Sequence, residues 1–264
     1  LLRIRNLSKI FNKGTVNESV LFDNLSLTIN DGDFITIIGS NGAGKSTLLN
    51  IISGNTELDE GEITLNERDI TTLPEYKRTK FIGRVFQNPS SGVSPSMTVL
   101  ENLSMAYSKG TKFGLSFGAT KKERSLFKEL LKEYSLGLEE KLDVKVGALS
   151  GGQRQALSLV MASLSKPSLM LLDEHTAALD PSMSSKVLEL TSQIVNENKM
   201  TTLMITHDLN DAISLGNRLI MLHRGKIILD IYGDEKKNLT TESLLDYFKN
   251  VADKGVLSDR TLFS

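Results

Sequence analysis

The chain has 264 residues, 31 Lys and Arg against 32 Asp and Glu, and neither Cys nor Trp. A formal net charge of −1 gives no electrostatic pull towards nucleic acid or an anionic membrane, and 39% apolar with 24% charged residues describes a folding globular chain. The lack of cysteine excludes disulfides, thiolate zinc sites and cysteine nucleophiles, and no apolar run approaches the roughly 20 residues that span a bilayer.

The length predicts one large domain, or a domain with a subdomain. Leu1–Arg5 alternates in polarity and lacks the apolar centre of a signal peptide, so the expectation is a soluble intracellular domain. The first third reads as β-rich. Val20 and Phe22, then Leu25, Leu27 and Ile29 after a phase change, alternate as in a strand that ends at an Asp31-Gly32 turn. Phe34–Ile38 is almost wholly apolar, the pattern of a strand buried on both faces. A glycine-rich loop and a run with helical spacing, Lys45–Ile52, follow directly.

The middle predicts helices. Thr98-Val99-Leu100-Glu101 and Thr120-Lys121-Lys122-Glu123 both have the capping-box form. Leu126, Phe127, Leu130, Leu131 and Tyr134 fall on one helical face. The charged positions of that helix mix Lys and Arg with Glu123, Glu129 and Glu133, which describes a solvated face rather than a basic patch. Ser108–Ala119, with Gly110, Gly114 and Gly118, reads as a mobile loop. The last third returns to α/β: strands at Leu169–Leu172 and Thr202–Thr206 with a helix Met183–Asn198 between them, a hairpin around Arg224-Gly225, and a final helix Thr241–Val251.

Three motifs carry chemistry. Gly39-Ser40-Asn41-Gly42-Ala43-Gly44-Lys45-Ser46-Thr47 has the phosphate-loop spacing and stands between a buried strand and a helix. There the glycines let successive N–H groups converge on an anion and the helix adds its positive end. Lys45 would lie by the β- and γ-phosphates, and Ser46 would ligate Mg²⁺. Asp173-Glu174 ends an apolar run, which reads either as a metal-holding carboxylate followed by a general base or as two acids capping a helix. Ser150-Gly151-Gly152-Gln153 opens a helix with a hydroxyl and two glycines, a second anion site.

This set resembles the ATP-binding cassette ATPases, the nucleotide-binding subunits of ABC transporters, over about residues 2–231. The matching residues are Gly39–Thr47, Gln87, Leu149–Gln153, Leu169–Glu174, Ala178-Leu179-Asp180 and His207, in the family's order. The resemblance implies an α/β fold: a P-loop NTPase, RecA-like core with an N-terminal antiparallel β portion. A helical subdomain of about residues 88–165 carries the signature, and 232–264 forms a C-terminal helical extension. It implies ATP and Mg²⁺ as cofactors, with Ser46, Gln87 and Asp173 as metal-shell residues. Glu174 becomes the base and His207 its partner at the γ-phosphate. Phe11 reads equally as an adenine-stacking aromatic or as core.

In this family the signature of one subunit, Ser150 to Gln153, completes the ATP site of another, and Asp180 belongs to the D-loop. The implied partners are therefore a second ATPase subunit (a homodimer is expected) and transmembrane permease subunits, with a lipoprotein substrate-binding component reached indirectly and no nucleic acid. The implied place is the cytoplasmic face of the cell membrane, as a peripheral subunit. His175 departs from the Pro that many cassettes carry there. With Gln87-Asn88-Pro89 and Ser94–Leu103 it looks like a bacterial importer subgroup associated with amino-acid-type uptake, and His175 reads as a local structural choice. Val93–Leu103 reads as a permease-docking segment or as core of the helical subdomain. Export, a cytosolic cassette ATPase without a permease, and a nucleotide-sensing module stay open at this stage.

Overall fold

The computed structural model describes residues 2–109, 119–135 and 137–251. They fall into two units, Leu1–Glu75 with Leu203–Ser264, and Tyr76–Thr202. The expected loop glycines 110, 114 and 118 lie outside the described residues.

In the first unit, β1 (Leu2–Phe11) pairs antiparallel with β2 (Ser19–Ile29). The phase change in β2 accompanies three register shifts in its pairing with β1, with Asn6 and Asn24 in the left-handed region at φ 49° and 57°. Asparagine tolerates that conformation, and the extra residues swing the pattern so that Phe22, Leu25, Leu27 and Ile29 all bury. Val20, read as part of the apolar set, is instead 58% exposed because it stands beyond the shift. Then come β3 (Phe34–Gly39), buried at every position, α1 (Lys45–Ser53), β4 (Glu60–Leu65) and β5 (Arg68–Asp69). A four-stranded antiparallel sheet in the order β2-β1-β4-β5 results. A short α2 (Glu75–Arg78) leads on.

In the second unit, β6 (Ile82–Val85) runs parallel to β7 (Leu169–Asp173), Ile82 opposite Leu169. The helical portion lies between them in sequence: α3 (Val99–Tyr107), α4 (Lys121–Glu133) and α5 (Gly151–Leu164). Thr98 and Thr120 form the expected capping boxes with Glu101 and Glu123. Phe127 and Leu131 bury, but Leu126 is 46% exposed: its position falls at the edge of the apolar stripe. The charged face of α4 is solvated, with Arg124 in a two-pronged pair to Asp143 and Lys128 paired to Glu140. Val99, Leu100 and Leu103 are core, so the helical part of Val93–Leu103 packs inward. After β7 comes α6 (Pro181–Asn198), started by Asp180 as N-cap and Pro181 in the first turn.

The chain returns to the first unit through β8 (Thr201–Ile205), α7 (Leu209–Ser214), β9 (Arg218–His223) and β10 (Lys226–Tyr232). Strand β9 lies parallel to β3 and forms the expected hairpin with β10. Arg224 and Gly225 have φ 45° and 73°, the two positive values of a twist-matched two-residue turn. Finally α8 (Asp234–Lys237) and α9 (Thr241–Val251) follow, and Leu244 and Phe248 of α9 share a buried cluster with Ile38, Ala212, Leu219 and Met221.

Candidate active site

In the first unit, the loop from Gly39 to Gly44 joins the C-terminal end of buried β3 to the N-terminus of α1. Gly39, Gly42 and Gly44 hold φ of 151°, 76° and 102°, an arc that L side chains rarely adopt. Packing demands two of them independently of any ligand. A Cβ on Gly39 would lie 2.0 Å from the Leu222 carbonyl oxygen, and one on Gly44 would lie 2.8 Å from the Phe22 ring. Lys45 is 5% exposed, and its ammonium donates to the carbonyls of Gly39 at 2.7 Å and Ser40 at 3.2 Å. The loop thus holds the cation at its own centre. Helix α1 has Gly44 as N-cap with no side-chain cap bond and no acidic residue in its first turn. Helices α3, α4, α5, α6 and α7 all start on a capping side chain. An N-terminus without such a cap keeps its positive end available for an anion.

Around this loop, Ser46, Asn41 and Gly42 are exposed, Ser40 and Thr47 half-buried, and Ala43 buried. Phe11 ends β1 at 39% exposure with the Lys9 ammonium 5.5 Å from its ring centroid, so the core alternative for it is excluded. His207 is exposed just past β8. The next residue, Asp208, caps α7 by accepting from the N–H groups of Asn210 and Asp211.

In the second unit, Asp173 is the last residue of β7 and Glu174 the first beyond it. Helix α6 is capped by Asp180, not by these acids, which removes the capping alternative. Glu174 has φ 45°, a left-handed backbone at a residue with a long side chain. Such outliers concentrate at functional positions because a fixed turn can aim a side chain that a relaxed strand would not. His175 is buried, its Nε2 2.9 Å from the Thr191 hydroxyl on α6, and burial pushes its imidazole down to about 4. It ties the turn to α6, in keeping with the structural reading. Gln87 is exposed just after β6. Ser150 is exposed and caps α5, its hydroxyl accepting from the Gln153 N–H at 3.2 Å. Gly151 is half-buried and Gly152 buried.

Several supporting residues escape motif reading. In the first unit, the Gly225 N–H donates to the Ala43 carbonyl at 3.0 Å, and His223 Nδ1 lies 3.3 Å from the Ser40 hydroxyl, so the β9–β10 turn braces the phosphate loop. In the second, the Gln155 side-chain amide donates to the Phe86 carbonyl at 3.0 Å, holding the backbone just before Gln87, and Arg154 donates to the Ser90 hydroxyl at 3.3 Å three residues after it. Arg84 lies 3.3 Å from Asp173. The one available signal was chemical: an arginine inside an otherwise apolar strand, and a glutamine among the apolar residues of α5.

Comparison with known proteins gives concordant results. The family described as ABC transporter matches residues 22–177. The tyrosine transport ATP-binding protein of Clostridioides difficile (strain R20291) is 54% identical over 249 residues, covering 94% of this chain and 99% of that protein. The spermidine/putrescine import ATP-binding protein PotA of Haemophilus influenzae (strain ATCC 51907 / DSM 11121 / KW20 / Rd) is 34% identical over 230 residues, and the chain spans only 57% of its length. Among solved structures, the dimeric post-hydrolysis state of the ATP-binding cassette MJ0796 bound to ADP and Pi superposes with a TM-score of 0.75 at 30% identity, covering 88% of this chain and 98% of that one.

Proposed function

The chain belongs to the ATP-binding cassette family of ABC transporter ATPases, and from that premise we propose that it powers the uptake of an amino-acid-type solute through a membrane permease. The observation that carries the ATPase core of this reading is the phosphate loop, in which Lys45 is gathered at the centre of a glycine arc on an uncapped helix N-terminus. A triphosphate seated there takes the ammonium from the Gly39 and Ser40 carbonyls and meets the N–H groups of Asn41 to Thr47. Phe11, exposed at the end of β1, stacks on the adenine.

The donor set suits Mg²⁺. Among the described residues no cluster of three or more His, Cys, Asp or Glu could hold a metal by itself. In this reading a hydroxyl (Ser46), an amide oxygen (Gln87) and one carboxylate (Asp173) are the protein's contribution to its shell. Mg²⁺ is held in this way, by one or two hard protein ligands plus substrate phosphates and water. The ion neutralises charge on the phosphates when bound. Glu174 takes the proton of the attacking water, and His207 hydrogen-bonds the γ-phosphate.

We read residues 1–231 as the ATPase domain, with 88–165 as the signature-bearing insertion and 232–264 as a C-terminal extension. The exposed Ser150 hydroxyl and the half-buried Gly151 serve a second copy's nucleotide, with Asp180 at the same interface, so two chains close head to tail over two ATP. A solved relative is itself dimeric with ADP and Pi bound. No helix among the described residues is long and apolar enough to cross a membrane. The name of the tyrosine transport relative supports an aromatic amino acid as cargo. In this reading a lipoprotein substrate-binding component delivers the cargo and the ATPase sits peripherally on the cytoplasmic face of the membrane.

The deciding experiment is a tagged pull-down from detergent-solubilised native membranes with protein identification. Recovery of a polytopic permease without added ATP is the expected result. A purely soluble partner, with the chain absent from membranes, would replace this reading with that of a cytosolic cassette ATPase.

A further inference from the structure

Within the second unit, β6 and β7 lie parallel with Arg84 opposite Leu171 and Val85 opposite Leu172. Side chains two apart share a sheet face, so Arg84 and Asp173 meet diagonally across the pair. Arg84 Nη2 lies 3.3 Å from Asp173 Oδ2, with the two side chains only 11% and 12% exposed. The same guanidinium rests on the Phe86 ring, its carbon 4.6 Å from the centroid. A planar cation pinned between an aromatic face and a carboxylate has little rotational freedom, and it transmits that restriction to the carboxylate. Asp173 therefore stands at the strand end with one carboxylate oxygen against Arg84.

We propose that Arg84 is a positioning residue for the Walker-B carboxylate, holding Asp173 in the orientation that receives Mg²⁺. The inference rests on the reading of Asp173 as a metal-shell residue. Groups that hydrogen-bond a ligating carboxylate commonly change metal affinity on removal by about 10- to 100-fold. Burial sharpens the effect, because a carboxylate deprived of its cation in a dry environment swings towards water or towards another donor. Lysine cannot replace the arginine fully, since it lacks both the fork and the flat face that stacks on Phe86.

The test uses the full chain and a fluorescent ATP analogue, titrated with Mg²⁺ and, separately, bound in EDTA. Arg84→Met should raise the Mg²⁺ concentration at half-effect by about tenfold or more, with analogue binding in EDTA unchanged. Arg84→Lys should recover part of the loss. Asp173→Asn should shift the Mg²⁺ dependence by itself, and adding Arg84→Met to it should cause little further shift, because the two act as one unit. If Arg84→Met does not fold, Arg84→Gln, planar but uncharged, carries the same expectation. A Mg²⁺ dependence within twofold of the parent in the Arg84 variants, with Asp173→Asn shifted, would overturn the role of Arg84 alone. An unshifted Asp173→Asn would overturn the metal reading of Asp173 and this inference with it.

Discussion

Glu174 carries its carboxylate on a backbone with φ 45°, a conformation that costs a non-glycine residue about 1 kcal/mol or more. A turn that persists despite this cost is held by its surroundings: the buried β7 before it and His175, anchored on Thr191, after it. Glutamine has the same shape and backbone preference, so Glu174→Gln should fold normally while ATP turnover falls by about 100-fold or more, the contribution of a general base. Steady-state phosphate release, with thermal denaturation alongside, checks both halves. Ser46 stands exposed in the first turn of α1, where a hydroxyl-to-methyl change meets solvent rather than core. Ser46→Ala should therefore leave stability within about 0.5 kcal/mol and weaken nucleotide binding only when Mg²⁺ is present. Equal weakening in EDTA would remove Ser46 from the metal shell.

At the scale of elements, the start of α5 separates packing from recognition. A Cβ on Gly152 would lie 2.5 Å from Met183 Cε and 3.1 Å from its Cβ and Cγ, whereas the nearest atom to a Cβ on Gly151 is Leu179 Cδ2 at 4.0 Å. The chain's own packing therefore crowds a side chain at 152, where Met183 would have to give way, and leaves room for one at 151. Gly152→Ala should cost about 1 kcal/mol or more through overpacking. Gly151→Ala should be neutral or gain about 0.5 kcal/mol from helix propensity, yet lower ATP-dependent association of two chains if a second nucleotide approaches there. Urea unfolding and size-exclusion chromatography of the two variants separate the effects. Both glycines look alike in the Leu149–Gln153 motif. Periodicity and capping chemistry made α3, α4 and the β9–β10 hairpin readable, because their signals lie within a few residues of each other. The exposure of Val20 and Leu126 was not readable, since a register shift and the edge of a packing stripe are set by distant neighbours.

At the scale of the molecule, the first unit is made of two stretches far apart in sequence, and α9 belongs to its core. Phe248 is 2% exposed and Leu244 fully buried, against Ile38 of β3 and Met221 of β9. These are the strands that carry the phosphate loop and its bracing turn. Phe248→Ala should cost about 3–5 kcal/mol, read as a lower urea midpoint, and nucleotide affinity should weaken with it if that core holds the loop. Strands β4 and β5 and helices α2, α7 and α8 were not legible in the amino-acid sequence. By itself it determined the loop, the acidic pair, the signature motif and the elements with strong local patterns: β3, α3, α4, the β9–β10 hairpin and α9. Each of these rests on local spacing: glycines where a backbone must curl, apolar runs where a strand buries, caps where a helix starts. Tertiary structure alone decided that Arg84 meets Asp173, that Gly225 braces Ala43, that Gln155 holds Phe86, and that Asp180 rather than Asp173 or Glu174 caps α6. The three long-range contacts join residues from 69 to 182 positions apart. The groups involved, backbone as well as side chain, find each other only when strand register and helix packing are fixed, and no local pattern encodes that register.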